Sequence, residues 1–221
     1  YNTMYDSRLS DMQQDPKCPF LGASSGYGQL IGSTDMYGAQ ASVKENQIIP
    51  TMQLLIKEDN RVLKYGFVQT ELDRAKAQLM ENYERASNEV DKTESASFAS
   101  QYIDNFLHHD PIPGAKREYN YAKKFLEDIT LNEVNALAKD WITPDNIVAI
   151  VMAPDKPGVK VPTEQDVLNV LKDKSLEDVT PYVDTYKEKE LVNKDELVPG
   201  TIVKSVDIPE INAKHITLSN G

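Results

Sequence analysis

Apolar positions recur with two different periods along these 221 residues, and each change of period marks a new element. Within residues 3–14, Met4, Leu9 and Met12 stand among polar residues until Pro16 and Pro19 stop the segment, which predicts a short helix. Residues 20–31 are rich in Gly and Ser. Beyond Gly32-Ser33-Thr34-Asp35, the residues Tyr37, Ala39, Ala41 and Val43 alternate with Met36, Gly38, Gln40 and Ser42. A period of two on one side of a turn composition predicts an antiparallel hairpin. From Gln47 the spacing becomes three to four, with Ile48, Met52, Leu55, Ile56, Val62 and Leu63 on one helical face and Gly66 at its end.

A second long helix is predicted from Thr70, whose hydroxyl is placed to cap it. Its apolar line is Leu72, Ala75, Leu79, Tyr83, Ala86 and Val90, and its water-facing side Glu71, Arg74, Lys76, Gln78, Glu81 and Arg85. A third helix over residues 93–108 would bury Ala99, Tyr102, Ile103 and Phe106 before Asp110-Pro-Ile-Pro-Gly114 breaks it. Residues 115–127 offer Tyr119, Ala122, Phe125 and Leu126, and the box Thr130-Leu-Asn-Glu133 opens a helix carrying Val134, Leu137, Ala138 and Trp141. The unbroken apolar run at residues 147–152 reads as a strand covered on both sides or central in the sheet.

Strands, helices and a closing central strand define an α+β class. The expected form is a two-layer sandwich, a mainly antiparallel sheet backed by helices, over residues 1–154. Its expected core includes Leu79, Tyr83, Tyr102, Phe106, Leu137, Trp141 and Ile150. Residues 155–199 are charged and interrupted by prolines, with one amphipathic stretch at 163–172 holding Val167, Leu168 and Leu171 inside, so they are assigned to a partly helical linker. Residues 201–208 and 215–218 regain strand character, and the closing Ser219-Asn220-Gly221 is a hairpin-turn composition with no strand after it. The expectation for 200–221 is the first strands of a following domain, with a sheet they cannot complete alone.

Charge and composition narrow the functions available. Thirty-five acidic against 24 basic side chains give a net charge of -11, the wrong sign for holding a phosphate backbone, so nucleic acid is excluded as the expected partner. No stretch approaches the roughly 20 apolar residues of a membrane span, and the opening residues lack the basic end and apolar run of a signal peptide. The single cysteine, Cys18, has no internal partner and no motif around it.

The chemistry-bearing residues do not assemble into a motif. Of the three histidines, His108 and His109 are adjacent, so they lie about 100° apart around a helix, and the fourth position after His109 is Pro113. No His-x-x-Glu-His or His-Glu-x-x-His occurs, and His215 precedes an apolar strand. The glycines at 22, 26 and 28 are not followed by Gly-Lys-Ser/Thr and open no helix, which makes them strand glycines rather than a phosphate loop. The pairs Glu81 with Glu84 and Glu127 with Asp128 fall on solvated helix faces of an acidic chain. No catalytic or metal-ligating residue is therefore assigned, and substrate-binding residues stay unassigned.

The order of several soft motifs is more specific than any one of them. Arg8-Leu-Ser-Asp-Met, Pro19-Phe-Leu-Gly-Ala-Ser-Ser-Gly-Tyr-Gly28, Tyr65-Gly-Phe with Glu71-Leu-Asp-Arg-Ala-Lys76, Asp91-Lys-Thr, Pro111-Ile-Pro-Gly114 and Ile129-Thr-Leu-Asn-Glu-Val-Asn-Ala-Leu137 resemble the insulinase/pitrilysin-type (M16) zinc peptidases. The similarity is to the second domain of the N-terminal half, and Ile216-Thr-Leu-Ser-Asn-Gly221 resembles the opening of the C-terminal half. The resemblance implies a LuxS/MPP-like metallohydrolase fold, repeated four times in the full protein around a closed chamber. It implies zinc held by an inverted His-x-x-Glu-His motif and a distant Glu, all upstream of Tyr1, so none of those residues maps onto this chain. The expected function is a noncatalytic chamber wall of a metallopeptidase that hydrolyses oligopeptides or unfolded polypeptides. The alternative is a domain of an inactive M16-like partner or scaffold. Implied partners are the catalytic domain and C-terminal half of the same parent chain and a peptide substrate. The bacterial periplasm or cell envelope is the compartment the resemblance favours.

Overall fold

The computed structural model describes residues 1–32, 34–185 and 199–220. It divides into two compact units, Tyr1–Asp184 and Thr185–Gly221. The first contains α1 (Asn2–Gln13), the strands β1 (Phe20–Ile31) and β2 (Thr34–Val43), then α2 (Ile48–Tyr65), α3 (Gln69–Asn88), α4 (Ser95–His108), α5 (Ala115–Phe125), α6 (Leu131–Trp141) and α7 (Glu164–Leu171). The fold is α+β, as expected: an antiparallel hairpin, in register Ala23 with Ala41 and Tyr27 with Tyr37, backed by helices.

The core forms where α1 lies between the hairpin and the helices α2, α3 and α6. Met4, Tyr5, Arg8 and Leu9 recur at helical spacing and are buried, and Cys18, Phe20, Val62, Phe67, Leu72, Ala75, Val134 and Ala138 close around them. The small side chains of Ala23, Ala39 and Ala41 form the inner face of the hairpin against this cluster. The capping box read at Thr130 is present: its hydroxyl accepts from the Glu133 amide at 3.3 Å, and the Glu133 carboxylate accepts from the Thr130 amide at 2.8 Å.

Three expectations change. First, the core sits toward α1 and away from the distal helices. Leu79, Leu137 and Trp141 are only partly buried, while Tyr83, Tyr102, Phe106 and Ile150 are exposed. Every residue of α4 is exposed, Ala99 and Ile103 included, because an apolar stripe states that a helix needs a partner without placing that partner among these residues. Phe106, 81% exposed, should tolerate replacement by alanine with a change within about 0.5 kcal/mol in unfolding free energy, measured by denaturant titration. Second, α3 is capped by Glu71, whose carboxylate accepts the Val68 amide at 2.9 Å, and not by Thr70. Glu71 itself is buried and not on a water-facing side. Third, residues 147–152 belong to neither sheet.

The compact unit extends to Asp184, where the sequence pattern ended the domain at 154. Thr163 caps α7 through a box with Asp166, and Val170, Leu176 and Val179 are buried. The backbone after α7 runs along α2: the carbonyls of Leu176, Val179 and Thr180 accept from Asn60 Nδ2, the Tyr65 hydroxyl and Arg61 Nε at 3.2, 3.1 and 2.9 Å. A charged stretch needs few apolar anchors when its carbonyls are bound along a helix. Residues 186–198 of the expected linker lie outside the described residues.

In the second unit, β3 (Ile202–Ile208) and β4 (Ala213–Leu218) pair with each other, Val206 opposite His215. The two stretches of strand character thus form their own antiparallel pair, with all of β4 and nearly all of β3 exposed.

Candidate functional site

The most concentrated polar chemistry of the first unit is in its core. Arg8, only 1% exposed, projects from α1 toward α2 and the start of α3. Its Nε and Nη2 donate to the two oxygens of Glu71 at 2.6 and 2.8 Å, its Nη1 donates to Glu58 Oε1 at 2.9 Å, and Nη2 also donates to the Gly66 carbonyl at 3.0 Å. The remaining oxygen of Glu58 accepts from Arg61. Two buried carboxylates therefore meet two guanidinium groups, which is the condition under which buried charge is tolerated. The guanidinium also lies 4.7 Å from the ring centre of Phe67 and 4.2 Å from that of Tyr182. Burial opposes the Arg8 charge, and the hydrogen bonds it donates to Glu71 and Glu58 overcome it and hold the pKa above its ordinary value.

The same residues fix the turn between α2 and α3. Gly66 has φ of +71°, and a Cβ there would come within 2.6 Å of the Asn135 side chain. Asn135, on α6, accepts from the Phe67 amide at 2.7 Å and donates to the Phe67 carbonyl at 3.2 Å, as a neighbouring strand would. Glu71 caps α3 with the carboxylate that also binds Arg8, so one side chain joins α1, the turn and α3.

A third carboxylate, the half-buried Asp59, has no cation beside it among the described residues. Asp59 accepts from the Tyr5 hydroxyl at 2.8 Å and the Tyr37 hydroxyl at 3.2 Å, which ties α2 to α1 and to the hairpin. Burial pushes its pKa up to about 6; the two phenol hydrogen bonds pull it down and the Glu58 charge raises it. The folded value exceeds the unfolded one, so this group's contribution to stability is complete below pH 3.8 and is lost as pH rises through about 6. The expected loss is on the order of 2 to 3 kcal/mol between pH 4 and pH 7. Unfolding free energies of the natural chain and Asp59→Asn across that range should diverge by this amount. Parallel curves would refute it.

An apolar groove of about 450 Å³ opens beside the core, lined by Tyr1, Met4, Leu72, Leu79, Leu126 and Leu137, with Lys76, Asp128 and Glu133 also on its walls. The chemistry-bearing residues singled out in the sequence are scattered. His108 ends α4 and His109 caps it in the left-handed conformation, exposed, while His215 lies on β4 in the other unit. Cys18 is buried. Glu81 and Glu84 are exposed on α3, and Glu127 and Asp128 are exposed just beyond α5. Gly22, Gly26 and Gly28 stand in β1, and a Cβ at any of them would meet nothing within 4 Å. Among the described residues, no group of three or more His, Cys, Asp or Glu side chains is placed to hold a metal ion. The described residues do not fit a zinc site. The buried ionic cluster has its charges satisfied internally, and its chemistry is that of a structural joint.

No family model matches the chain. It is 29% identical over 164 residues to a zinc protease PQQL-like protein of Arabidopsis thaliana, covering 73% of this chain and 17% of that protein. Its fold is similar to that of the periplasmic protease PqqL from Escherichia coli, with a TM-score of 0.63 at 16% identity over 99% of this chain and 24% of that one. A predicted insulinase family protease from Yersinia pestis gives 0.51 at 13% identity over 62% of this chain and 30% of the other. The chain is thus similar in sequence to a PQQL-like zinc protease and in fold to proteases that include an insulinase-family member. It spans less than a third of the length of each of these relatives.

Proposed function

We propose that this chain is a noncatalytic wall segment of a zinc-dependent M16 peptidase that hydrolyses oligopeptides or unfolded polypeptides. It would be the second domain of the N-terminal half, followed by the connection to the C-terminal half. The observation that carries this reading is the fold similarity across 99% of the chain to a quarter of a longer protease. A wall of net charge -11 would discriminate among peptides by charge, disfavouring acidic ones. The periplasmic description of the E. coli protease supports an exported location, and the Arabidopsis relative shows that the type is not confined to bacteria.

The test compares this 221-residue chain with the longer polypeptide that carries it, using unfolded peptide substrates with and without a zinc chelator. The longer polypeptide should hydrolyse them in a chelator-sensitive way, and the 221-residue chain should not. A longer polypeptide that is inactive with zinc present would favour the inactive-partner reading instead.

A further inference from the structure

We propose that residues 180–184 are a latch, a short strap that closes over the buried ionic joint and swings open about Thr180-Pro181 while the helices beneath it stay folded. The stretch that follows α7 is held in two different ways. Its inner part is anchored by burial, since Leu176 and Val179 are 3% and 6% exposed. Its outer part has no fully buried side chain: Thr180, Pro181 and Val183 are exposed, and Tyr182 and Asp184 are half-buried. The contacts that hold this outer part are polar and come from three helices in turn. Arg61 of α2 donates to the Thr180 carbonyl at 2.9 Å, and the Tyr182 hydroxyl donates to Asp11 of α1 at 3.1 Å. Asp184 accepts from Thr70 of α3 and, at 2.8 Å, from Arg74 of the same helix.

These contacts lie at the water boundary, with the Arg61 and Arg74 side chains 22% and 35% exposed, and bonds of that kind add little to stability. The ring they hold in place covers a much stronger cluster. The Tyr182 ring centre lies 4.2 Å from the Arg8 guanidinium, and with the strap closed the Arg8 and Glu58 side chains are wholly shielded from water. Pro181 has no amide with which to fix the middle of the strap. A weakly held cover over a tightly coupled cluster opens before the cluster does. Closed, the chain leaves the first unit at Asp184. Open, five further residues are released at that boundary, up to about 17 Å of extra reach, and the joint admits water. The freedom of the chain at Asp184 and the hydration of the joint are then two readings of one equilibrium.

The test follows exchange of the Arg8 Nε–H, which donates to Glu71 at 2.6 Å, by NMR in the 221-residue chain, beside the amide of the buried Leu9 on the same helix. In the natural chain the Arg8 rate should not change in low denaturant, because a small local opening exposes it, whereas the Leu9 rate should rise with denaturant as global opening does. Asp184→Ala removes a contact with α3 and leaves the Arg8 guanidinium and its carboxylates in place. It should raise the Arg8 rate about tenfold and leave the Leu9 rate within about twofold of the natural chain. Tyr182→Ala should raise the Arg8 rate further, and Tyr182→Phe, which keeps the ring, should raise it less than Tyr182→Ala does. An Arg8 rate that Asp184→Ala leaves unmoved would overturn the proposal, since residues 180–184 would not open as one strap. An Arg8 rate that tracks global unfolding in every variant would overturn it as well, since the strap would then never open by itself.

Discussion

Replacing Arg8 with alanine is expected to destabilise the Tyr1–Asp184 unit by about 3 to 5 kcal/mol, which for a domain of ordinary stability removes a large share of the total. The cost does not come from the attraction lost, since burying the ions already consumed much of it. It comes from the carboxylates left behind: among the described residues Glu71 has no other ion-pair partner, and Glu58 keeps only Arg61. Two signatures follow. The variant should regain stability as pH falls, because protonation removes charge that the interior cannot hold. Combining Arg8→Met with Glu71→Gln should recover a substantial part of the loss, since the pair is then replaced and not broken. Denaturant unfolding of the two variants checks both. A loss below about 1 kcal/mol for Arg8→Ala would show that the cluster is hydrated and the packing of α1 wrongly described.

The second large effect is at Phe67. It is 2% exposed, meets the Tyr1 ring edge-on with centres 5.1 Å apart, and carries the Arg8 guanidinium on its face. Phe67→Ala should cost about 3 to 5 kcal/mol through lost burial and a cavity beneath the ionic cluster. Phe67→Leu should recover much of the packing but not the cation-to-ring contact, leaving a residual loss of about 0.5 to 2 kcal/mol. Comparing Phe67→Ala with Phe106→Ala gives a direct reading of where the core lies, because the two are the same substitution at opposite extremes of exposure.

Local chemistry was legible in the sequence wherever it is self-contained. The hairpin, the end of α2 at Gly66 and the box at Thr130 each depend on residues within a few positions of one another, and the structure contains them. Burial was not legible to the same degree, because it depends on what else is present. Phe106 and Ile150 carry apolar patterns that ask for neighbours, and the described residues do not supply them. The ionic core was missed for a different reason. Glu71 falls on the polar side of α3 by composition, and only the arrival of Arg8 from another helix makes that side an interior. A signal was available at Glu58: it stands between Thr51, Leu55 and Val62 at helical spacing, and a charge within an apolar stripe marks a buried partner. The stretch after α7 likewise hid its packing, since its anchors are carbonyls, which every sequence has.

The central claim is that this chain belongs to a zinc peptidase without itself holding the zinc. Metal analysis of the purified 221-residue chain and of the longer polypeptide, each equilibrated with zinc and then gel-filtered, tests it most directly. The account predicts no stoichiometric zinc on the 221-residue chain, whose three histidines lack ligand spacing, and one tightly held zinc on the longer polypeptide. One zinc retained per 221-residue chain, removable with loss of peptide hydrolysis, would contradict it.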